Sequence, residues 1–252
     1  MMFLTALAAR QPCTNVALVV AHPDDETLAL GGMFSCFPGL LLLHVTDGAP
    51  RVLPDAARHG GPAAYGALRA AELERAMAVA NVPGLQRVAL GLPDQDAALH
   101  IGTIATSLAN MFDRHGIETV VTHAYEGGHP DHDAVACAVQ RAVGGCAVVE
   151  FAGYHAAGGG FHTEFLPGPT ATTLTLTPSE YAERRAMLKC FASQAEILSR
   201  FDDGHVQLRS APAYDFTSPP HDGPLNYETW GWPMTGARFR ALAREAVASG
   251  TA

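Results

Sequence analysis

The chain has 252 residues, 48% of them hydrophobic and 16% charged, which excludes a disordered, collagen-like or fibrous protein. Its formal net charge of −9 argues against a nucleic-acid partner, because that affinity rests on clustered Lys and Arg. Five scattered cysteines with no C-x-x-C pair offer neither a disulfide framework nor a thiolate zinc site, and read as small buried apolar side chains.

Met1 to Ala9 is apolar but short, with no basic residue before it, a poor secretion signal. No run reaches the ~20 apolar residues of a membrane span. A cytoplasmic protein is expected, and the composition is compatible with a homo-oligomer. Next come strand-like runs at 15–21, 40–47, 86–92, 117–124 and 146–154, apolar enough to be buried on both faces of a parallel sheet. Helical-period segments separate them at 63–82, 101–116 and 132–145, the last two ending on glycine. Strand and helix in alternation predict an α/β fold, Rossmann-like, three layers deep, around an open and mainly parallel sheet. A further strand is expected over 170–177, then a helix capped near Thr177 or Ser179. Residues 210–236, rich in Pro, Gly and aromatics, read as an irregular surface segment, and 237–249 as a last amphipathic helix. With no repeat or linker, 1–252 reads as one domain, with 201–252 its C-terminal extension.

Doubly wound sheets bind ligands beyond the carboxyl ends of their strands. Two acidic, histidine-rich loops fall there. "AHPDDE" follows the first strand and carries His22, Asp24, Asp25 and Glu26. "THAYEGGHPDHD" follows "ETVV" and carries His123, His129, Asp131, His132 and Asp133. His22 and Asp25 are three residues apart, as are His129 and His132, so at a helix start each pair lies on one face. Imidazole and carboxylate are zinc ligands, and a catalytic zinc keeps three protein ligands and one open position. The two loops hold more donors than one ion needs, and the surplus can act as acid and base. Either motif alone would also serve as a capped turn; the pair after two buried strands points to a metal site. Histidines 44, 59, 100, 115, 155, 162 and 205 read as structural or surface residues. Glu26 reads as a carboxylate favoured by the helix dipole.

"AHPDDETLALGG" followed by "GGHPDHDA" resembles the N-acetylglucosaminyl-phosphatidylinositol deacetylase-like (PIG-L, or LmbE-like) family. "HVTDG" (44–48), "RAAELERAMAVANV" (69–82), "LGLPD" (90–94) and "MLKCFASQ" (187–194) add to the likeness, which runs over roughly 15–200. The resemblance implies a Rossmann-like fold and zinc-dependent hydrolysis of an N-acyl group, usually acetyl, from a glucosamine-containing small molecule; Fe²⁺ is an alternative ion. It implies His22, Asp25 and His132 as metal ligands and Asp24 as general base. It implies His129 facing the oxyanion, with Asp131 orienting that ring, and Arg69 and Asp94 contacting substrate. A carboxylate behind His129 is expected to keep it charged. Some relatives carry an oxyanion tyrosine where this chain has Gly127; Tyr125 is the nearest one here.

Three other readings share these residues. A deacylase of a non-sugar amide uses the same chemistry. Two histidines and one carboxylate also make the facial triad of Fe(II) oxygenases, but such an enzyme needs no Asp24, His129 or Asp131. A metal-stabilised sugar-binding module would need no acid or base either. Tyr214, Phe216, Tyr227, Trp230 and Trp232 offer aromatic faces, either packed on the domain or forming a rim that selects the larger part of a substrate.

Overall fold

The computed structural model describes residues 2–51, 54–201 and 204–249. In chain order the elements are α1 (Met2–Ala8), β1 (Val16–Val20), α2 (Asp25–Leu30), β2 (Leu41–Pro50), α3 (Asp55–Arg58), α4 (Pro62–Ala80), β3 (Gln86–Asp94), α5 (Ile101–His115), β4 (Thr119–His123) and α6 (Pro130–Ala142). Then follow β5 (Ala147–Phe151), β6 (Thr172–Thr175), α7 (Pro178–Leu188), α8 (Ala195–Leu198), β7 (His205–Ser210), α9 (Asn226–Thr229) and α10 (Gly236–Ser249). The strands form one sheet in the order β3-β2-β1-β4-β5-β7-β6. β1 to β5 are parallel, with Leu18 of β1 level with Leu42 of β2 and Val121 of β4. β7 runs antiparallel to both β5 and β6. Among the described residues no helix is long and apolar enough to cross a membrane.

Alternation along a strand sends successive side chains to opposite faces, and here both faces are covered. Ala17, Val19, Leu41 and Leu43 pack against Leu108 and Phe112 of α5, Val135 of α6 and Phe239 of α10. Leu18, Val20 and Leu42 pack the other way, against Leu30, Phe34, Phe37, Met77, Met187 and Phe191. A strand buried on both sides has no polar face, which is why the runs in the sequence are continuous rather than alternating. The expected three-layer α/β/α architecture is the one observed.

Local differences have local causes. The last expected parallel strand stops at Phe151, so Ala152, Gly153 and Tyr154 form a loop at the mouth of the sheet. β7 was not expected from "HVQLRS", because Arg209 interrupts its apolar pattern. That arginine is buried and gives its Nε–H to Glu150 Oε1 of β5 at 2.6 Å, while Tyr214 donates to the same oxygen at 2.8 Å. Thr177 does cap α7, in a reciprocal capping box with Glu180. The 210–236 segment is largely irregular but is not a surface segment. Phe216, Leu225, Tyr227 and Met234 are buried in the same core as α5, α6 and α10.

This packing makes the C-terminal segment integral to the fold. Phe239 is fully buried and Val247, on the same helix, is 48% exposed. Phe239→Ala is expected to lose about 3–5 kcal/mol in urea denaturation. Val247→Ala is expected to stay within about 0.5 kcal/mol of the parent.

Candidate active site

The strand order reverses between β1 and β4, since β2 and β3 lie on one side and β5 on the other. The two loops that leave these strands must diverge, and the crevice between them is where an open α/β sheet binds its ligand. His22 and the start of α2 enter from β1, and His129 and the start of α6 from the loop after β4. Asp94 ends the outer strand β3, and Arg69 reaches in from α4.

His22 Nδ1 and His132 Nε2 are 3.2 Å apart. Asp25 places Oδ2 3.3 Å from the first and Oδ1 3.3 Å from the second. Tetrahedral bonds of about 2.0–2.1 Å to one ion put neighbouring donors roughly 3.3 Å apart, so the donor set fits a metal. The outer atoms support it. His22 Nε2 faces Asp131 Oδ2 at 3.2 Å and Asp94 Oδ1 at 3.4 Å, outer carboxylates of the kind that orient a metal-binding imidazole. Burial alone would protonate Asp25, but its imidazole neighbours, His132 first, outweigh it and hold the carboxyl well below its usual range, ionised as a ligand must be. His123, at the end of β4, accepts the Ala21 N–H on Nε2 at 3.0 Å and stacks on His132 with centroids 4.0 Å apart. Burial, with His132 adjacent, lowers its pKa to about 3, so it supports the site as a neutral ring.

Asp24 has φ 133° and ψ −28°, backbone angles that a residue with a Cβ rarely adopts. Its N–H donates to Glu26 Oε2 at 2.9 Å, and that carboxylate also accepts from Thr27 and faces His44 Nε2 at 3.0 Å. Glu26 stands in the first turn of α2, as expected of a helix-start carboxylate, and being fully buried it also holds Asp24 in its strained turn. Arg69 donates to Asp24 Oδ2 at 3.1 Å and to the Pro23 carbonyl at 2.6 Å. Burial raises the Asp24 pKa to about 7; Arg69 opposes the rise, and Asp25 and Glu26 add to it.

The pairing expected for His129 is different in the structure. The Asp131 carboxylate accepts the Gln95 N–H at 2.7 Å and the Ala97 N–H at 3.1 Å and faces His22, not the His129 ring. Its backbone N–H reaches His129 Nδ1 at 3.1 Å, because His129 is the N-cap of α6. A proton is thereby left on Nε2, 3.4 Å from Asp94 Oδ1. Asp94, expected to contact substrate, lines the cavity and stands 3.4 Å from Nε2 of both His22 and His129. Burial and the neighbouring His22 lower the His129 pKa well below the ordinary imidazole value, so a neutral donor replaces the charged one expected.

These groups line a cavity of about 250 Å³ whose opposite wall includes Tyr154, Phe201, Trp230 and Trp232. Trp232 sets its edge 4.8 Å from the His129 ring. Of the five C-terminal aromatics, Trp230 and Trp232 thus reach the site, while Tyr214, Phe216 and Tyr227 pack into the core. Tyr125 does not reach it: its hydroxyl donates to the Ser218 carbonyl at 2.8 Å and its ring packs on Phe216. A side chain at Gly127 would collide with Leu225 at 2.6 Å, and φ there is +72°. Tyr154 and Glu126, a buried carboxyl that takes the Gly153 N–H, carried no signal in the sequence beyond their residue type.

A family profile described as GlcNAc-PI de-N-acetylase, PIG-L, matches residues 17–143, half of the chain. No curated protein sequence matches. Among solved structures, a complex of a deacetylase with teicoplanin, from the teicoplanin biosynthetic pathway, is 16% identical with a TM-score of 0.61 over 81% of this chain and 100% of that one. A triple mutant of a deacetylase of that pathway is 21% identical, TM-score 0.57, over 73% and 84%. The N,N′-diacetylchitobiose deacetylase of Pyrococcus horikoshii is 14% identical, TM-score 0.57, over 78% and 83%. At these identities the likeness is one of fold.

The donor geometry predicts how metal uptake responds to substitution. His132→Ala and Asp25→Asn should each weaken Zn²⁺ or Co²⁺ binding in a calorimetric titration by more than the roughly 10–100-fold that loss of an outer hydrogen-bond partner costs. His44→Gln, one residue further from the donors, should leave the affinity within that range.

Proposed function

The chain belongs to the PIG-L family, the GlcNAc-PI de-N-acetylases, and from that membership we propose that it is a zinc-dependent N-deacetylase acting on a glucosamine-containing small molecule. The observation that carries this reading is the triangle of His22, Asp25 and His132 donors with Asp24 beside it. Two imidazoles and one carboxylate suit Zn²⁺, as they do Fe²⁺, and they leave a fourth position for the reaction.

Zinc, when bound there, supplies a Lewis acid that acidifies water and polarises a carbonyl. The remaining work falls to the side chains. Asp24, with a pKa of about 7, takes one proton from the attacking water near neutral pH. Arg69 and Glu26 hold it in place from opposite sides, one at the carboxylate and one at the backbone. A bond forms from the water oxygen to the acyl carbon, and the carbonyl π electrons move onto the acyl oxygen. His129 turns its Nε2–H to that developing charge. The C–N bond then breaks and the nitrogen receives the proton that Asp24 took, giving a free amine and a carboxylic acid. A neutral His129 has no proton to spare, so return of the proton falls to Asp24.

Substrate recognition is divided between two walls. Arg69, Asp94 and Gln95 give a polar side suited to sugar hydroxyls, and Trp230 and Trp232 give faces for a sugar ring or an apolar aglycone.

Release of acetate and free amine should be measured for N-acetylglucosamine, diacetylchitobiose, and inositol-, malate- and lipid-linked N-acetylglucosamine. Turnover should vanish on chelation and return with Zn²⁺. Asp24→Asn should lower kcat about 10²–10⁴-fold with metal content unchanged. No release from any of these by the metal-loaded protein would remove the sugar from the reading.

A further inference from the structure

Three residues beyond the end of β5, Tyr154 is 7% exposed and lines the active-site cavity. Its ring is held on several sides: stacked on Phe161 at 5.0 Å, against Trp230 at 5.6 Å and Phe201 at 6.2 Å, and edge-on to His132 at 5.7 Å. On the remaining side it lies directly over Gly128. A Cβ there would stand 1.9 Å from the Tyr154 carbonyl oxygen and 2.9 Å from its ring, so only glycine lets the His129 loop approach so closely. The ring is fixed, but its hydroxyl makes no hydrogen bond among the described residues. The hydroxyl is not sealed off: it keeps accessible surface in a residue that lines the cavity, so it is free to donate to a bound ligand. A phenol, with an ordinary pKa near 10, is protonated and so a donor throughout the neutral range.

The loop before His129 supplies no hydroxyl of its own, since Gly127 has no room for a side chain and Tyr125 is turned into the core. We propose that Tyr154 is a catalytic residue whose O–H donates to the acyl oxygen as that oxygen becomes negative, sharing this task with His129. The proposal rests on the amide-hydrolysis reading given above. It adds a donor from the loop after β5, beside His132. In the ground state the acyl oxygen is a weak acceptor, and as the carbon becomes tetrahedral the same contact becomes a charge-assisted bond. The hydroxyl therefore acts on kcat more than on KM.

Tyr154→Phe keeps the packed ring and removes only the donor. With the best N-acetylglucosamine substrate, its kcat should fall about 10²–10³-fold with KM and zinc content unchanged. A second readout needs no turnover. The methylphosphonamidate of glucosamine carries tetrahedral oxygens where the hydrated amide would, and calorimetry should show the zinc-loaded variant binding it about 10²-fold more weakly. Binding of glucosamine itself should stay within about threefold, because it lacks the acyl oxygen. Equal affinity for the phosphonamidate in parent and variant, or an equal loss for both ligands, would overturn the role of Tyr154 while leaving the enzyme's function intact. Failure of the zinc-loaded parent both to hydrolyse any substrate and to bind the phosphonamidate would overturn the two together.

Discussion

The carboxylate of Asp131 ties three separate parts of the chain into one site. It accepts the N–H groups of Gln95 and Ala97, which follow β3, and faces His22, which follows β1, while its own residue sits in the first turn of α6. A fully buried carboxylate finds its hydrogen bonds within the protein, and each bond it finds fixes a loop. The relative placement of β1, β3 and α6 follows from this one group.

Around it the structure solves a difficult electrostatic problem. His22, Asp24, Asp25, His129, Asp131 and His132 are all buried at the ends of an apolar sheet. Burial keeps His123 and His129 neutral and lifts Asp24 to about 7, while the neighbouring imidazoles, His132 first, keep Asp25 ionised. The strained backbone of Asp24 belongs to the same design. Its unusual φ persists because Glu26 holds its N–H and Arg69 holds its side chain, so the rest of the fold compensates the cost of that conformation.

The far wall of the cavity depends on the antiparallel edge of the sheet. β7 pairs with β5 through a buried arginine and glutamate, and Tyr214 bonds that same glutamate. From this anchor the chain passes through the core at Phe216 and Tyr227 and emerges with Trp230 and Trp232 at the mouth of the site. Specificity would then be carried by a segment whose position is set by core packing rather than by the catalytic loops.

Much of this protein is legible in local pattern. Continuous apolar runs identify the parallel strands, because a strand covered on both faces needs no polar side. The spacing of His22 with Asp25, and of His129 with His132, marks side chains that enter one site together, because a helix start places residues three apart on one face. Partnership between distant residues is not legible. Which carboxylate stands behind His129, how Arg209 is neutralised within a strand, and where Tyr154 points are all decided by residues tens of positions away. Local sequence determines what each loop offers; only the closed sheet determines which atoms meet, because a hydrogen bond or an ion pair depends on separations in space that no local period encodes.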